Sequence, residues 1–196
     1  MSPRWDKLLV LDLDDTLIHA RPPSQASLPW PPRRVVGRYR LYLRPGVHEF
    51  MRWALDRFAG VAIWTSANVA YAHAMLACFI RNRDELAFIW SREQCVPQVL
   101  SEDEFVWHKD IERVIEQGWR PEQILIVDDK PEVLRGAEAN AIIIPRFEGD
   151  PRDRQLLRLQ AFLDRIGPLA DPRATGLRTS WAQAPAPDEF DLYLDD

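Results

Sequence analysis

Short apolar runs that end in polar residues recur along the chain and predict buried strands. There are four of them, at residues 8–13, 61–64, 124–127 and 141–144. Continuous apolar runs of this length are typical of parallel strands that are buried on both faces. Stretches with apolar residues at helical spacing separate most of the runs. Strands that alternate with helices predict an α/β fold, a doubly wound, Rossmann-like parallel sheet with helices on both faces.

Residues with capping preferences mark the ends of the predicted helices. Asn68 is suited to cap the second helix, and Gly118 is suited to end the third. Pro131 fits the first turn of a short fourth helix. We expect a fifth helix to begin at residues 150–151 and to end at Gly167.

Two segments interrupt the alternation of strands and helices. Residues 21–34 are rich in proline and predict an irregular flap, which residues 35–43 follow with the alternation of a hairpin. Residues 86–107 contain short apolar stretches that predict extra strands. Neither segment is long enough for a separate domain. We therefore expect one domain at residues 1–167 with small β insertions, followed by an acidic C-terminal tail or extension at residues 168–196.

The composition limits the classes of protein to consider. The chain has 196 residues, enough to bury a core without disulfides or structural metals. Its net charge is −5, but residues 168–196 carry six acidic and two arginine side chains, so the rest is nearly neutral. This balance gives no support for binding to nucleic acid or to a membrane.

Cysteine usage and hydropathy predict the compartment. Cys78 and Cys95 are the only cysteines, and they lack a metal-ligand spacing, which predicts reduced thiols. No signal-peptide pattern and no apolar run of membrane-spanning length are present. We expect a soluble protein of the cytoplasm that has no membrane partner.

Chemically reactive residues follow three of the predicted strands. The first strand ends in Asp12 and Asp14, the second in residues 65–66, and the third in residues 128–130. The carboxyl ends of parallel strands share one edge of a sheet, so we expect these side chains to converge. Neighbouring carboxylates repel each other unless a proton or cation lies between them, and oxygen ligands suit Mg²⁺. The set suits phosphoryl transfer, with the backbone amides of residues 66–68 available to phosphate oxygens.

Each of these residues also has a structural interpretation. The aspartates after the first strand could form a charged turn, and Thr65 could cap a helix. Asp128 and Asp129 could serve as a cap that the helix dipole favours. Lysine is rare, with three among 25 basic residues, which favours a role for Lys109 as a compact charge. Lys130 is expected to be solvated at the start of a helix.

The order of motifs resembles that of a known family. Residues 12–17, Asp-Leu-Asp-Asp-Thr-Leu, resemble the first motif of haloacid-dehalogenase-type phosphatases, and Leu17-Ile18-His19 resembles its extension in the small C-terminal-domain (CTD), or NIF-like, phosphatase branch. Further matching motifs follow in order, at residues 43–47 with 49–50, 64–67 with 71–72, 108–111, 126–131 and 140–142. The resemblance extends from about residue 7 to residue 166.

The resemblance implies a role for each site residue. Asp12 would be the nucleophile that forms an aspartyl-phosphate, and Asp14 would be the general acid and base. Thr65 and Lys109 would take part in catalysis and, with Ser66, bind the phosphate. The implied ligands of Mg²⁺ are Asp12, the backbone carbonyl of Asp14, Asp129 and, as a further ligand or positioning group, Asp128.

Departures from the family pattern bear on the substrate. Asp15 replaces the glutamate that is usual in this branch, and Lys130 stands where the branch often has serine. The 47 residues between Leu17 and Thr65 and the 43 between Thr65 and Lys109 are too few for a large cap domain. By resemblance, an open site favours a bulky substrate such as a phosphoserine or phosphothreonine segment of a protein.

Other functions stay open on the sequence alone. The phosphorylated partner could be a small metabolite or, as a phosphorylated end, a nucleic acid. A receiver-like signalling module also combines an acidic cluster, Mg²⁺, a threonine and a lysine on such a sheet, but the second strand here ends without the carboxylate that a receiver needs. A noncatalytic protein that keeps the fold is disfavoured by the intact set of polar residues. The oligomeric state is not predicted.

Overall fold

A five-stranded parallel sheet forms the centre of the protein. The computed structural model describes residues 4–99 and 105–185. Its strands and helices, in chain order, are β1 (Trp5–Leu11), β2 (Ile18–Arg21), β3 (Arg34–Val36), β4 (Tyr39–Leu43), α1 (Val47–Arg57), β5 (Phe58–Trp64), α2 (Val69–Leu76), β6 (Ile89–Trp90), β7 (Val96–Val99), β8 (Phe105–His108), α3 (Glu112–Ile115), β9 (Ile124–Asp128), β10 (Ala141–Ile143), α4 (Gln155–Ile166) and α5 (Leu177–Ala182).

Strand β1 lies in the middle of this sheet, whose strand order is β10-β9-β1-β5-β6. It pairs in parallel with β5 on one side and with β9 on the other, so that Val10 stands beside Ala62 and Ile126. Strands β10 and β6 extend the sheet, also in parallel. Because all five strands run in the same direction, their carboxyl ends lie at one edge.

Helices cover both faces of the sheet. Successive residues of β1 point to opposite faces, so they pack into two separate buried clusters. Leu9 and Leu11 belong to one buried cluster, together with apolar side chains of α1, α2, α4 and α5. Leu8 and Val10 belong to a second cluster, which includes Val114 of α3. This arrangement confirms the predicted doubly wound α/β fold.

Two small antiparallel sheets are inserted into the main fold. One has the strand order β2-β4-β3, and the other is the pair β7-β8. They occupy the segments in which the sequence predicts a hairpin and extra strands. The proline-rich residues 22–33 connect β2 to β3 without a helix or strand. The insertions are therefore small and antiparallel, as expected.

Most helix ends follow their capping residues. The side chain of Asn68 caps α2, where Oδ1 accepts a hydrogen bond from the amide of Tyr71 at 2.9 Å. Gly118 has a φ of 94°, a conformation that favours glycine, three residues after α3. The short helix that Pro131 opens, Pro131–Leu134, is a 3-10 helix. Gly167 follows α4, where a Cβ would collide with the indole of Trp5.

The sequence predicts that the fifth helix begins at residues 150–151, but in the structure this helix, α4, begins at Gln155. Asp153 fixes this start, because its Oδ1 accepts a hydrogen bond from the amide of Gln155 at 2.9 Å. The same carboxylate binds the buried guanidinium of Arg44 through two hydrogen bonds of 2.9 Å. The helix start thus depends on a contact with a distant part of the chain.

Residues beyond 167 pack against the domain. Leu177 and Trp181 of α5 are buried. The Nε1 of Trp181 donates to the carbonyl of Ile143 in β10 at 2.8 Å, and the guanidinium of Arg158 lies 4.4 Å from its ring centroid. The predicted boundary after residue 167 therefore falls inside the packed structure. Residues 186–196, which contain most acidic side chains of the predicted tail, lie outside the described residues.

The contribution of α5 to the core can be measured by replacing Trp181. We expect Trp181→Ala to lower the free energy of unfolding by about 3–5 kcal/mol, the usual loss for a buried aromatic side chain. Urea unfolding followed by circular dichroism measures the change. The control is Thr179→Ala on the exposed side of α5, for which we expect a change within about 0.5 kcal/mol. Equal stabilities of the two variants would mean that α5 lies outside the cooperative unit.

Candidate active site

The candidate active site lies at the carboxyl edge of the parallel sheet, where β1, β5 and β9 end. Asp12 follows β1, and its amide donates to the carbonyl of Val127 at 2.9 Å. Thr65 follows β5, and its amide donates to the carbonyl of Trp90 at 2.9 Å. Asp128 is the last residue of β9. The hydrogen bonds of the sheet therefore hold these three polar residues at the same edge.

Lys109 joins two of the carboxylates at this edge. Its Nζ lies 2.6 Å from Oδ1 of Asp12 and 2.6 Å from Oδ2 of Asp128. All three side chains are buried. The backbone of Lys109 is held by its amide, which donates to the carbonyl of Val133 at 2.8 Å. The ammonium group thus compensates two carboxylates that would otherwise be buried without a partner.

The protonation states of these three side chains depend on one another. Burial raises the pKa of Asp12 well above its usual value, and the positive charge of Lys109 lowers it in part. Burial lowers the pKa of Lys109, but the charges of Asp12 and Asp128 outweigh burial and raise this pKa above that of a free lysine. Lys109 is therefore a permanent positive charge in the site.

Asp12, Asp128 and Asp129 together offer oxygen ligands to a cation. One oxygen from each lies within 4.8 Å of the others. Protein donors bind both oxygens of Asp128, namely Lys109 at Oδ2 and the amide of Lys130 at Oδ1. Oδ1 of Asp129 is buried and has no hydrogen-bond partner among the described residues, and burial raises the pKa of this carboxyl to about 6. These residues fit a divalent cation that prefers oxygen ligands, with Asp129 supplying an uncommitted oxygen.

The carboxylate of Asp14 is held by Tyr71 of α2. The hydroxyl of Tyr71 donates to Oδ1 of Asp14. Burial raises the pKa of Asp14 to about 6, although the hydrogen bond from Tyr71 lowers it. A carboxyl group with a pKa near neutrality can both donate and accept a proton, which suits general acid–base catalysis. Asp14 lines the same cleft as Asp12 and Lys109.

Asp15 has a structural role that its place in the sequence does not predict. Its φ is 61°, in the left-handed region, which aspartate tolerates better than most residues. Its carboxylate accepts hydrogen bonds from Nδ1 of His19 at 2.7 Å and from Arg146. Burial raises the pKa of Asp15, but His19 and Arg146 outweigh burial and lower it. The amide of Phe147 donates to its carbonyl at 2.7 Å, so Asp15 ties the loop between β1 and β2 to residues 146–147.

Thr65 and Ser66 form the loop that leads into α2. The hydroxyl of Thr65 accepts a hydrogen bond from the amide of Ala67 at 3.1 Å. That amide, one of the three expected to be available to phosphate oxygens, is therefore already engaged inside the loop. The hydroxyl of Thr65 keeps its own proton for donation. The carbonyl of Ser66 accepts a hydrogen bond from Nε of Arg92 at 2.9 Å, which fixes the loop from outside.

With the exception of Thr65, which is buried after the end of β5, the predicted site residues lie together in the lining of one cleft. Its lining side chains are those of Asp12, Asp14, Ser66, Lys109, Asp128, Asp129, Lys130 and Val133. Lys130 lies at a helix start, directly before the 3-10 helix Pro131–Leu134, as the sequence predicts, and it is half-buried and also lines the cleft. The contacts of Tyr71, Arg92 and Arg146 were not predictable from the sequence. Only Tyr71 lies in one of the matching motifs, but no spacing rule predicts its hydrogen bond to Asp14.

The chain matches the family model of the NLI interacting factor-like phosphatases over residues 7–173. This range contains every residue of the cleft, from Asp12 to Val133. The match therefore covers both the central sheet and the candidate active site.

Two similar proteins are the mitochondrial import inner membrane translocase subunit tim50 of Neurospora crassa and a CTD nuclear envelope phosphatase 1 homolog of Caenorhabditis elegans. The first is 28% identical over 186 residues, which cover 93% of this chain and 30% of the tim50 protein. The second is 29% identical over 182 residues, which cover 86% of this chain and 70% of the relative. The chain thus spans less than a third of the tim50 protein.

The fold is also that of solved phosphatases. The structure of Fcp1, described as an essential RNA polymerase II CTD phosphatase, has a TM-score of 0.61 at 17% identity and covers 84% of this chain and 62% of Fcp1. The fission yeast Fcp1 structure has a TM-score of 0.54, also at 17% identity, and covers 93% of this chain and 53% of that one. At this identity the likeness concerns the fold, a parallel sheet flanked by helices.

The prediction of a cytoplasmic location is wrong by comparison with these relatives. The name of one refers to the mitochondrial inner membrane and that of the other to the nuclear envelope, so similarity points to membrane-associated locations. Reduced cysteines and low hydropathy do not distinguish the cytoplasm from such locations, which explains the error. Among residues 4–99 and 105–185, no helix has the length and apolar character needed to cross a membrane.

The uncommitted oxygen of Asp129 predicts which carboxylate the cation depends on. We expect Asp129→Ala to weaken Mg²⁺ binding by about an order of magnitude or more, because it removes both a charge and an available ligand. Isothermal titration calorimetry measures the affinity. Asp56→Ala, at an exposed position of α1, is the matched control and should bind Mg²⁺ as the wild type does. Unchanged affinity in Asp129→Ala would exclude this carboxylate as a ligand.

Proposed function

The chain belongs to the NLI interacting factor-like phosphatase family, and we propose that it is a phosphatase of the haloacid-dehalogenase type, which hydrolyses phosphate monoesters through an aspartyl-phosphate on Asp12 with the aid of Mg²⁺. The observation that carries this proposal is the position of Lys109 between Asp12 and Asp128, beside the uncommitted oxygen of Asp129. Family membership favours a phosphatase over the receiver-like module that the sequence alone leaves open.

In the first step, a carboxylate oxygen of Asp12 attacks the phosphorus atom and the bond from phosphorus to the leaving oxygen breaks. Asp14 gives its proton to that leaving oxygen. The raised pKa of Asp14, about 6, supports this role because part of the population carries the proton near neutral pH. The hydrogen bond from Tyr71 orients the carboxyl group.

In the second step, Asp14 takes a proton from a water molecule, whose oxygen attacks the phosphorus of the aspartyl-phosphate. The bond between phosphorus and Asp12 breaks, and inorganic phosphate leaves. One carboxyl group can serve in both directions because it is left unprotonated by the first step. Lys109 stays charged throughout, so it balances the negative charge on Asp12 and on the transferring group.

Two further residues would hold the phosphate. The hydroxyl of Thr65 accepts from Ala67 and has its own proton free to donate to a phosphate oxygen. Ser66 lines the cleft. Together with Lys109 they offer donors to the oxygens that do not react.

The residues that would hold Mg²⁺ are Asp12, Asp129 and the backbone carbonyl of Asp14. Asp128 serves as a positioning group, because Lys109 and the amide of Lys130 already bind its two oxygens. When bound, the cation offsets the charge between the carboxylates and the phosphate and orients the phosphate for attack.

We further propose phosphoserine or phosphothreonine segments of proteins as substrates. Within residues 4–99 and 105–185 the insertions consist of small antiparallel sheets and form no large cap over the cleft. The relatives and structures that are similar to this chain include proteins named as CTD phosphatases. A screen of phosphopeptides, nucleotides, phosphorylated oligonucleotide ends and sugar phosphates under Mg²⁺ separates this substrate class from small metabolites and nucleic acids. Preferential turnover of nucleotides or sugar phosphates would contradict it.

The nucleophile can be tested with a generic aryl phosphate. We expect Asp12→Asn to lower kcat by about a thousandfold or more, because an amide neither attacks phosphorus nor keeps the charge balance with Lys109. Chelation with EDTA should abolish hydrolysis by the wild type, and added Mg²⁺ should restore it. Rapid acid quenching with a radiolabelled substrate should leave label on the wild type and none on the variant.

The control for this experiment is Asp56→Asn, an isosteric change at an exposed position far from the cleft, which should retain wild-type kcat. Wild-type turnover by Asp12→Asn would exclude Asp12 as the nucleophile.

A further inference from the structure

Positive charge is concentrated in one segment, which begins in the loop between β1 and β2, shortly after Asp12 and Asp14. Residues 16–48 contain six arginines and not one aspartate or glutamate, in a chain whose net charge is −5. This segment forms β2, β3 and β4 and the proline-rich connection between them. A run of this length without an acidic residue produces a local field that the overall charge hides.

Two of the six arginines have hydrogen-bond partners within other parts of the fold. Arg44 is fully buried and binds Asp153 through two hydrogen bonds. Arg40 donates from Nη2 to the carbonyls of Pro22 and Gln25, at 3.2 Å and 2.5 Å, and so holds the start of the proline-rich connection. These contacts are to a single carboxylate and to neutral carbonyls, so most of the positive charge of the segment is not neutralised within it.

Arg21 and Arg40 form a like-charged pair across two strands. They stand directly opposite each other in the antiparallel pairing of β2 with β4, a position in which like charges destabilise a sheet. The Nε of each is buried and has no hydrogen-bond partner among the described residues. A bound anion on the accessible parts of the two guanidinium groups would reduce this repulsion, because guanidinium groups bind carboxylates and phosphates strongly.

Arg34 and Arg38 extend this charge over the surface of the same small sheet. Both are exposed, and neither forms an ion pair within residues 4–99 and 105–185. Arg34 lies in the edge strand β3, and Arg38 lies in the turn between β3 and β4. We call Arg21, Arg34, Arg38 and Arg40 together the arginine surface.

A short chain of contacts joins the arginine surface to the catalytic cleft. The guanidinium of Arg38 lies 5.3 Å from the ring centroid of Tyr39. That ring lies edge-on to Tyr71, with 5.3 Å between centroids, and Tyr71 donates to Asp14. An extended chain of about five residues is long enough to reach from Asp14 in the cleft to Arg38 on the arginine surface.

We infer that the arginine surface binds a second anionic group of the substrate, so that the enzyme prefers phosphopeptides with acidic or phosphorylated residues within about five positions of the phosphate to be removed. This inference rests on the proposed function. Asp12 is buried at the strand ends, so the reacting phosphate must enter the cleft while the second anion binds the surface beside it. A flexible peptide can satisfy both positions at once, whereas a flat membrane cannot enter the cleft.

The test compares two phosphopeptides that differ only in their flanking residues, glutamate in one and glutamine in the other. Binding is measured by fluorescence anisotropy with Asp12→Asn, which should not turn the peptides over, and kcat/KM is measured with Asp12 intact. We expect the glutamate peptide to be preferred on the order of fivefold or more at low salt, and the preference to fall as salt screens exposed charges. Equal affinities and equal kcat/KM values for the two peptides would overturn the inference.

Arginine variants assign the preference to this surface. In Arg38→Gln and in Arg21→Gln, the ratio of kcat/KM for the two peptides should fall towards one. Arg165→Gln is the matched control, because Arg165 is an exposed arginine near the end of α4 and is not among the residues that line the cleft, and it should keep the wild-type ratio. A ratio that is unchanged in the first two variants, or that falls equally in all three, would overturn the inference. The ratio within each variant is independent of how much active protein the preparation contains.

Two further measurements are needed. One tests the phosphatase activity without a peptide, and the other tests whether the arginine surface binds a membrane. Hydrolysis of an aryl phosphate tests the proposed function alone: activity there without discrimination between the peptides leaves the phosphatase in place and removes the inference. If no substrate is hydrolysed, the binding ratio with Asp12→Asn still decides the inference. Binding to vesicles that contain phosphatidylserine tests the membrane. Arginine variants that lose vesicle binding but keep the peptide ratio would assign the surface to lipid and overturn the inference.

Discussion

The site depends on one buried ammonium group, that of Lys109. Three carboxylates converge at the edge of the sheet because their strands are parallel, and burial raises the pKa of Asp12 and of Asp129. Without a cation they would bind protons, and Asp12 could not act as the proposed nucleophile. Lys109 lies 2.6 Å from both Asp12 and Asp128 and keeps a charge there before any substrate arrives. Elements with no reactive residue, such as the Val133 backbone that holds Lys109, therefore serve the chemistry.

The sequence predicts this part of the site well because each feature is local. An apolar run followed by aspartate identifies a strand end, and parallel strands bring their ends together without any knowledge of packing. The rarity of lysine adds a second local signal for Lys109. The partners of Asp14 and Asp15 could not be predicted in this way. Tyr71 and Arg146 reach them from 57 and 131 residues away along the chain, and only the folded structure determines these contacts.

The difference between local signals and long-range contacts also explains where the observed fold departs from the predicted one. Asp150-Pro151 has the local features of a helix start, but Arg44 binds Asp153 across 109 residues and the helix begins after that contact. The C-terminal residues are acidic on average, which hides Leu177 and Trp181 in the local composition. Trp181 is held by Ile143 and Arg158, two residues of other elements. Average charge predicts solvation, whereas two apolar side chains at the right spacing are enough to dock a helix.

Average charge is misleading for the substrate as well. Residues 1–167 are nearly neutral as a whole, but their charges are separated. Four aspartates line the cleft, and six arginines lie in residues 16–48. A phosphate dianion that approaches the cleft alone meets carboxylates, and Lys109 and Lys130 oppose only part of that charge. Arginines beside the cleft would attract an anionic substrate through its second anionic group, without contacting the reacting atoms. Separate regions of opposite charge thus let one small domain keep its catalytic carboxylates and still attract an anionic substrate.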